Sequence, residues 1–210
     1  SVKAEFTDIF GVSHDVLYVK GSGWDLATIE AAGFAPVALD ALLQLSRFDV
    51  LSDADMVRAQ RAAMLDPGAP NPSVEAILHA LIPFRFVDHT HADAVVTLTN
   101  TPDGEARIRE LYGDRLLVVP YVMPGFVLAK KVAQMTEDID WAALEGMVLM
   151  NHGIFSFADD ARESYTRMID LVTEAEQALG ATSIPTIGQS SPSALELATI
   201  RYEVSRAANR

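Results

Sequence analysis

His89 and His91 stand two residues apart at the end of a predicted strand from Phe84 to Asp88. The strand period of two puts both imidazoles on one face. Such a pair can chelate a divalent ion such as zinc. A catalytic zinc site takes three protein ligands and keeps a position open for substrate. His152 ends another predicted strand, Met147 to Met150, beside Gly153, and is the natural third ligand. His-x-His pairs also occur without any metal, so spacing alone leaves both readings open. Of the other two histidines, His14 reads as exposed in a polar turn. His79, four residues after Glu75 on the same helix face, reads as a satisfied side chain rather than a fourth ligand.

Glu75 falls in the first turn of a predicted helix that follows a Pro-rich loop, with Ser73 as its N-cap. The ordinary account of such a glutamate is its attraction to a helix N-terminus. The turn Gly21-Ser22-Gly23 can direct backbone N–H groups at an anion, as can the start of the helix at Ser73. Lys20 adds a positive charge beside that turn. With Lys+Arg 16 against Asp+Glu 29 and a net charge of −13, an anionic ligand requires local features of this kind.

Apolar residues make up 50% of the 210, enough for one domain with a substantial core. Cysteine is absent, which removes disulfides, thiolate metal sites and thiol nucleophiles. No run of about 18 apolar residues is present, so no membrane span is expected. The acidic balance argues against nucleic acid as a partner. A cytoplasmic enzyme is the class that remains.

Several elements must carry these residues. Val16 to Lys20 reads as a strand, Val37 to Leu45 as a short helix, and Asp53 to about Leu65 as a helix capped by Ser52. Residues 66 to 72 form a breaker cluster. A charged helix over Glu105 to Tyr112 precedes a buried strand over Leu116 to Val122. Pro124-Gly125 leads into a helix ending near Met135, and Asp159 to Leu179 is a long helix closed by Gly180. Alternating strands and helices give an α/β class and, taken alone, favour parallel strands. Ser191 and Pro192 read as the N-cap and first residue of a helix over 192–210. The start lacks an initiator Met and the last helix lacks a C-cap, so both ends read as cuts within a longer protein.

Lys20-Gly21-Ser22-Gly23, Pro72-Ser73-Val74-Glu75, His89-Thr90-His91, Tyr121 four residues before Gly125, and Asn151-His152-Gly153 occur in that order. Taken together they resemble the class II aldolase/adducin family. The closest flavour is the rhamnulose-1-phosphate aldolase-like domain found fused to short-chain dehydrogenases. The resemblance covers Ser1 to about Gly180 and implies a three-layer α/β/α fold with a mainly antiparallel central sheet.

It further implies zinc, or another divalent metal, on His89, His91 and His152, and an acid/base role for Glu75. Tyr121 would serve as proton donor from a neighbouring subunit of a homotetramer with active sites at its interfaces. Ser22, Gly23 and Ser73 would bind the phosphate of a small sugar-phosphate substrate, and Lys20 beside them would add its charge. The implied reaction is cleavage of a ketose 1-phosphate to dihydroxyacetone phosphate and an aldehyde. The same scaffold also serves sugar-phosphate epimerases and dehydratases, and the adducin branch serves as a non-catalytic interaction domain. Two departures bear on the phosphate: Val74 lacks the hydroxyl of a second serine, and the family's Gly-Asn-x-Ser loop would end at Ser1, with its asparagine before the chain.

Overall fold

Val2–Thr7 (β1) and Ser13–Lys20 (β2) form an antiparallel hairpin, with Val2 opposite Tyr18 and Thr7 opposite Ser13, in a computed structural model that describes residues 1–180 and 193–207. Its turn is fixed by Asp8, whose Oδ1 accepts the N–H groups of Phe10 and Val12, both at 2.9 Å. The strand β1 lies outside the elements expected from sequence, although residues 2–7 alternate apolar and polar, a period-two signal. His14 belongs to β2 and not to a turn; it is partly buried and its Nε2 lies 3.0 Å from Asp8 Oδ2.

The helix expected from Val37 begins later. Phe34–Ala38 is a strand (β3) paired along β2, and only Leu39–Leu45 is helical (α1). Val37 and Ala38 pair in the sheet opposite Leu17 and Val16, and this pairing outweighs their place in an apolar helical pattern. Asp53–Ala62 (α2) starts as expected, with Ser52 Oγ accepting the Asp55 N–H at 3.1 Å. Ala76–Leu81 (α3) follows the breaker cluster and leads to Phe86–Thr90 (β4). Asp93–Thr99 (α4), Gly104–Tyr112 (α5), Leu116–Val119 (β5), Phe126–Met135 (α6), Gly146–Leu149 (β6), Gly153–Ala158 (β7) and Ala161–Ala178 (α7) complete the unit. Asp160 caps α7 by accepting the Glu163 N–H at 3.0 Å.

The seven strands lie in the order β3-β2-β1-β4-β7-β6-β5. Only β5 and β6 pair in parallel; every other neighbour is antiparallel. The parallel sheet that alternation alone favours is therefore corrected to a mixed, mainly antiparallel one. The reason is local: β1–β2 and β6–β7 are joined by loops too short for a crossover.

Both faces of the sheet are covered. Leu17, Val37, Val87, Met147, Phe155 and Phe157 pack with Leu42, Met56, Ile77, Phe126 and Val132 from α1, α2, α3 and α6. Val118, Val148 and Ile154 pack on the other face with Val95, Leu98, Ile108, Met168 and Leu171 from α4, α5 and α7. Successive residues such as Met147 and Val148 thus enter different cores, as period two requires. Tyr112 is buried with them and donates its hydroxyl to Leu171 O at 2.7 Å.

Residues Ala181–Arg210 form a separate unit, in which Ala194–Ala207 (α8) is helical. The expected cap at Ser191 and Pro192 lies outside the described residues. Among the described residues no helix is long and apolar enough to cross a membrane.

Candidate metal centre

Strand direction gathers the histidines. β4 is antiparallel to β7, and β7 to β6, so β4, β5 and β6 all run the same way and end at one side of the sheet. His89 is the fourth residue of β4, opposite Phe155. His91 lies just past the end of β4, and His152 lies in the loop joining β6 to β7.

That loop is built for its job. Asn151 adopts a left-handed φ of 58°, which asparagine tolerates better than most residues. Its Nδ2 donates to Thr99 O at 3.2 Å and Asn100 Oδ1 at 2.9 Å, fixing the loop to the end of α4. Gly153 follows because nothing larger fits: a Cβ there would lie 2.5 Å from Thr90 O, 3.0 Å from His91 Cδ2 and 3.1 Å from His89 Cε1. Residue type alone assigns Asn151 and Gly153 no role. Their signal was their place on either side of His152.

Glu75 comes from the other direction, as the N-cap of α3 and so one position outside the helical turn expected for it. Ser73 Oγ accepts the Glu75 N–H at 3.2 Å and shapes that entry. The carboxylate reaches the imidazoles, with Oε1 3.0 Å from His152 Nε2 and Oε2 3.3 Å from His89 Nε2. One ligand atom from each of Glu75, His89, His91 and His152 lies within 4.8 Å of the others.

The electrostatics suit a cation. His89 Nδ1–H donates to Ile154 O at 3.0 Å, which leaves the Nε2 lone pair facing the cluster. Burial draws the His89 imidazole down to about 4, against the pull of Glu75, so it is neutral at ordinary pH. Burial alone would raise the Glu75 carboxyl, but the His152 contact and the His89 and His91 imidazoles hold it below its ordinary value. Buried Glu75 Oε1, His89 Nε2 and His152 Nδ1 make no hydrogen bond. Orphaned polar atoms this close together are costly unless something satisfies them. Three imidazoles and a carboxylate form the donor set of a divalent transition metal.

His79 lies outside the cluster, as expected. It is buried on α3, its Nδ1 lies 2.9 Å from Ser1 Oγ, and burial keeps it well below its ordinary pKa.

The arrangement has close relatives. The profile described as Class II Aldolase and Adducin N-terminal domain matches residues 1–179. The chain belongs to the class II aldolase and adducin family. A class II aldolase structure, the N-terminal domain of a conserved protein from Thermoplasma acidophilum, is 38% identical with a TM-score of 0.78. That likeness covers 85% of this chain and 82% of that one. A sugar-phosphate aldolase from Thermotoga maritima has the same fold at 17% identity and a TM-score of 0.55, covering 88% and 86% of the two chains. The uncharacterized oxidoreductase YuxG of Bacillus subtilis (strain 168) is 36% identical over 177 residues, 84% of this chain. The chain spans about a quarter of YuxG, 25% of its length.

The remaining expected site residues lie on two loops. Lys20 ends β2, and its Nζ is 3.3 Å from Gly21 O. Ser22 N–H donates to Asn71 O at 2.8 Å and Ser73 N–H to Lys20 O at 3.0 Å, lacing the Gly21–Gly23 turn to the Pro72 loop. Those two backbone donors are spent within the protein. Tyr121 is not in the cluster. It lies beyond the end of β5, 54% exposed, on the same side of the sheet as His152.

Proposed function

We propose that this chain is a zinc-dependent aldolase domain that cleaves a ketose 1-phosphate, rhamnulose 1-phosphate in type, to dihydroxyacetone phosphate and an aldehyde. The observation that carries the reading is the convergence of Glu75, His89, His91 and His152 within 4.8 Å. The three imidazoles would hold the ion, and a bound zinc would supply Lewis acidity toward negative charge developing on the sugar oxygens.

Glu75 moves a proton at the carbon left electron-rich when the carbon–carbon bond breaks. In cleavage it delivers that proton, and in condensation it removes one from dihydroxyacetone phosphate. The proton of the aldehyde oxygen is exchanged by Tyr121 of a second copy, since its own chain leaves that side chain exposed and outside the cluster. This assigns the chain to a ring-shaped homotetramer with sites at the subunit interfaces. Lys20, Ser22, Gly23 and Ser73 hold the phosphate. Because the oxidoreductase relative is four times as long as the matched region, the same reading places this domain beside a dehydrogenase in a cytoplasmic protein.

The test is a panel of phosphorylated ketoses assayed for dihydroxyacetone phosphate release, with zinc and after chelation. Release that depends on zinc supports the reading. Undiminished release from chelated protein, or turnover to an epimer or dehydrated product instead, would falsify it.

A further inference from the structure

Lys3 is a half-buried lysine that faces no carboxylate at close range. Its Nζ donates instead to three backbone carbonyls, His79 O at 3.0 Å, Ile82 O at 2.5 Å and Phe84 O at 2.8 Å. Three donors meet three acceptors, so the ammonium is fully used. Burial pulls it down to about 8, with Asp159 opposing. Keeping a desolvated charge among neutral carbonyls is costly, and a fold needs a reason to retain one.

The reason lies in where those carbonyls are. Lys3 stands opposite Leu17, so it projects on the sheet face that α3 covers. His79 is in α3, and Ile82 and Phe84 lie in the connection from α3 to β4. That connection crosses the weakest joint of the sheet. Here β1 and β4 share a single registered pair, Val2 with Phe86, flanked by Lys3 N–H to Arg85 O at 2.9 Å and Val87 N–H to Ser1 O at 3.1 Å. The metal centre straddles the same joint. Glu75 enters on α3, which packs on α1, β2 and α6, whereas His89, His91 and His152 ride on β4 and the β6–β7 loop.

We infer that Lys3 is a positioning residue of the metal centre, its ammonium clamping the α3–β4 connection to β1 so that Glu75 and the imidazoles keep their spacing. The inference rests on the metal reading above. Lys3 touches neither metal ligand nor substrate; it acts on Glu75 through the end of α3 and on His89 through the lead into β4.

The test uses Co2+, whose visible absorption reports ligand geometry. The unsubstituted chain takes up Co2+ if the metal reading is right; failure at this step overturns that reading and this inference together. Lys3→Met keeps the reach of the side chain and removes the charge. It is expected to melt cooperatively with unchanged far-ultraviolet circular dichroism, yet to bind Co2+ about ten- to a hundred-fold more weakly, the range for groups behind metal ligands, with an altered spectrum. Lys131→Met is the control for lost charge and leaves both unchanged.

Because the chain has no cysteine, Lys3→Cys can be alkylated with bromoethylamine in denaturant and refolded, which restores an ammonium at the same reach. Recovery of Co2+ affinity and spectrum on alkylation completes the case. Native affinity and spectrum in Lys3→Met overturn the inference. So does loss of fold and metal together in both unalkylated variants, which makes the clamp general to the fold, and so does an aminoethylated protein that folds without regaining the signature.

Discussion

Glu75 Oε1 lies 3.0 Å from His152 Nε2, a contact between the N-cap of one helix and the loop of a distant hairpin. It brings the carboxylate to imidazoles held on separate elements.

Removing one imidazole tests the centre most directly. His89→Ala deletes a ligand whose Nδ1 is already committed to Ile154 O. Bound metal measured by atomic emission is expected to fall at least about a hundred-fold in affinity, and ketose 1-phosphate cleavage to vanish with it. Full cleavage by a metal-free His89→Ala protein is the outcome that ends the assignment.

Glu75→Gln separates holding the ion from moving the proton. The amide keeps size and polarity but cannot act as a base, so metal content is expected to persist on three imidazoles. Exchange of the dihydroxyacetone phosphate carbon-bound proton with deuterated solvent, followed by NMR, is expected to slow by about 10²- to 10⁴-fold. Unchanged exchange removes Glu75 from its role.

Gly153→Ala tests the packing behind the ligands. The added Cβ would meet Thr90 O at 2.5 Å and the His91 and His89 rings at 3.0 and 3.1 Å. A backbone carbonyl cannot swing aside as a flexible side chain can, so the rings or the hairpin must shift. We expect a destabilisation of about 1–3 kcal/mol in urea denaturation and weaker metal binding by titration calorimetry. Wild-type values in both measurements contradict the packing argument.

Acid should loosen the metal-free chain. The His89 imidazole drops from 6.5 to about 4 on folding, because burial disfavours its charged form. Between those values the unfolded chain binds a proton that the folded chain refuses. Its contribution is therefore complete above 6.5 and is lost as pH falls through about 4, at most about 3 kcal/mol. Urea midpoints taken with chelator present are expected to decline across this window, and more steeply than in His89→Phe. Parallel curves for the two proteins count against the assignment.

The residues of the centre were legible because their types are chemically narrow. His89-Thr90-His91, Glu75 after the Pro-rich loop, and Asn151-His152-Gly153 have few other reasons to occur together in a chain with five histidines. The helix capped by Ser52 was legible too, since its hydroxyl acts on a neighbour three residues away. Such signals are local, and local chemistry survives in one dimension.

Strand partners were decided only by the fold. β3 emerged from a stretch that reads as helix because Val37 and Ala38 pair in the sheet opposite Leu17 and Val16, partners that no local window contains. The joint between β1 and β4 and the burial of Lys3 among three carbonyls follow from the same long-range pairing. Amino-acid types and spacing named the ligands; the backbone hydrogen bonds between distant strands brought them to one side of the sheet.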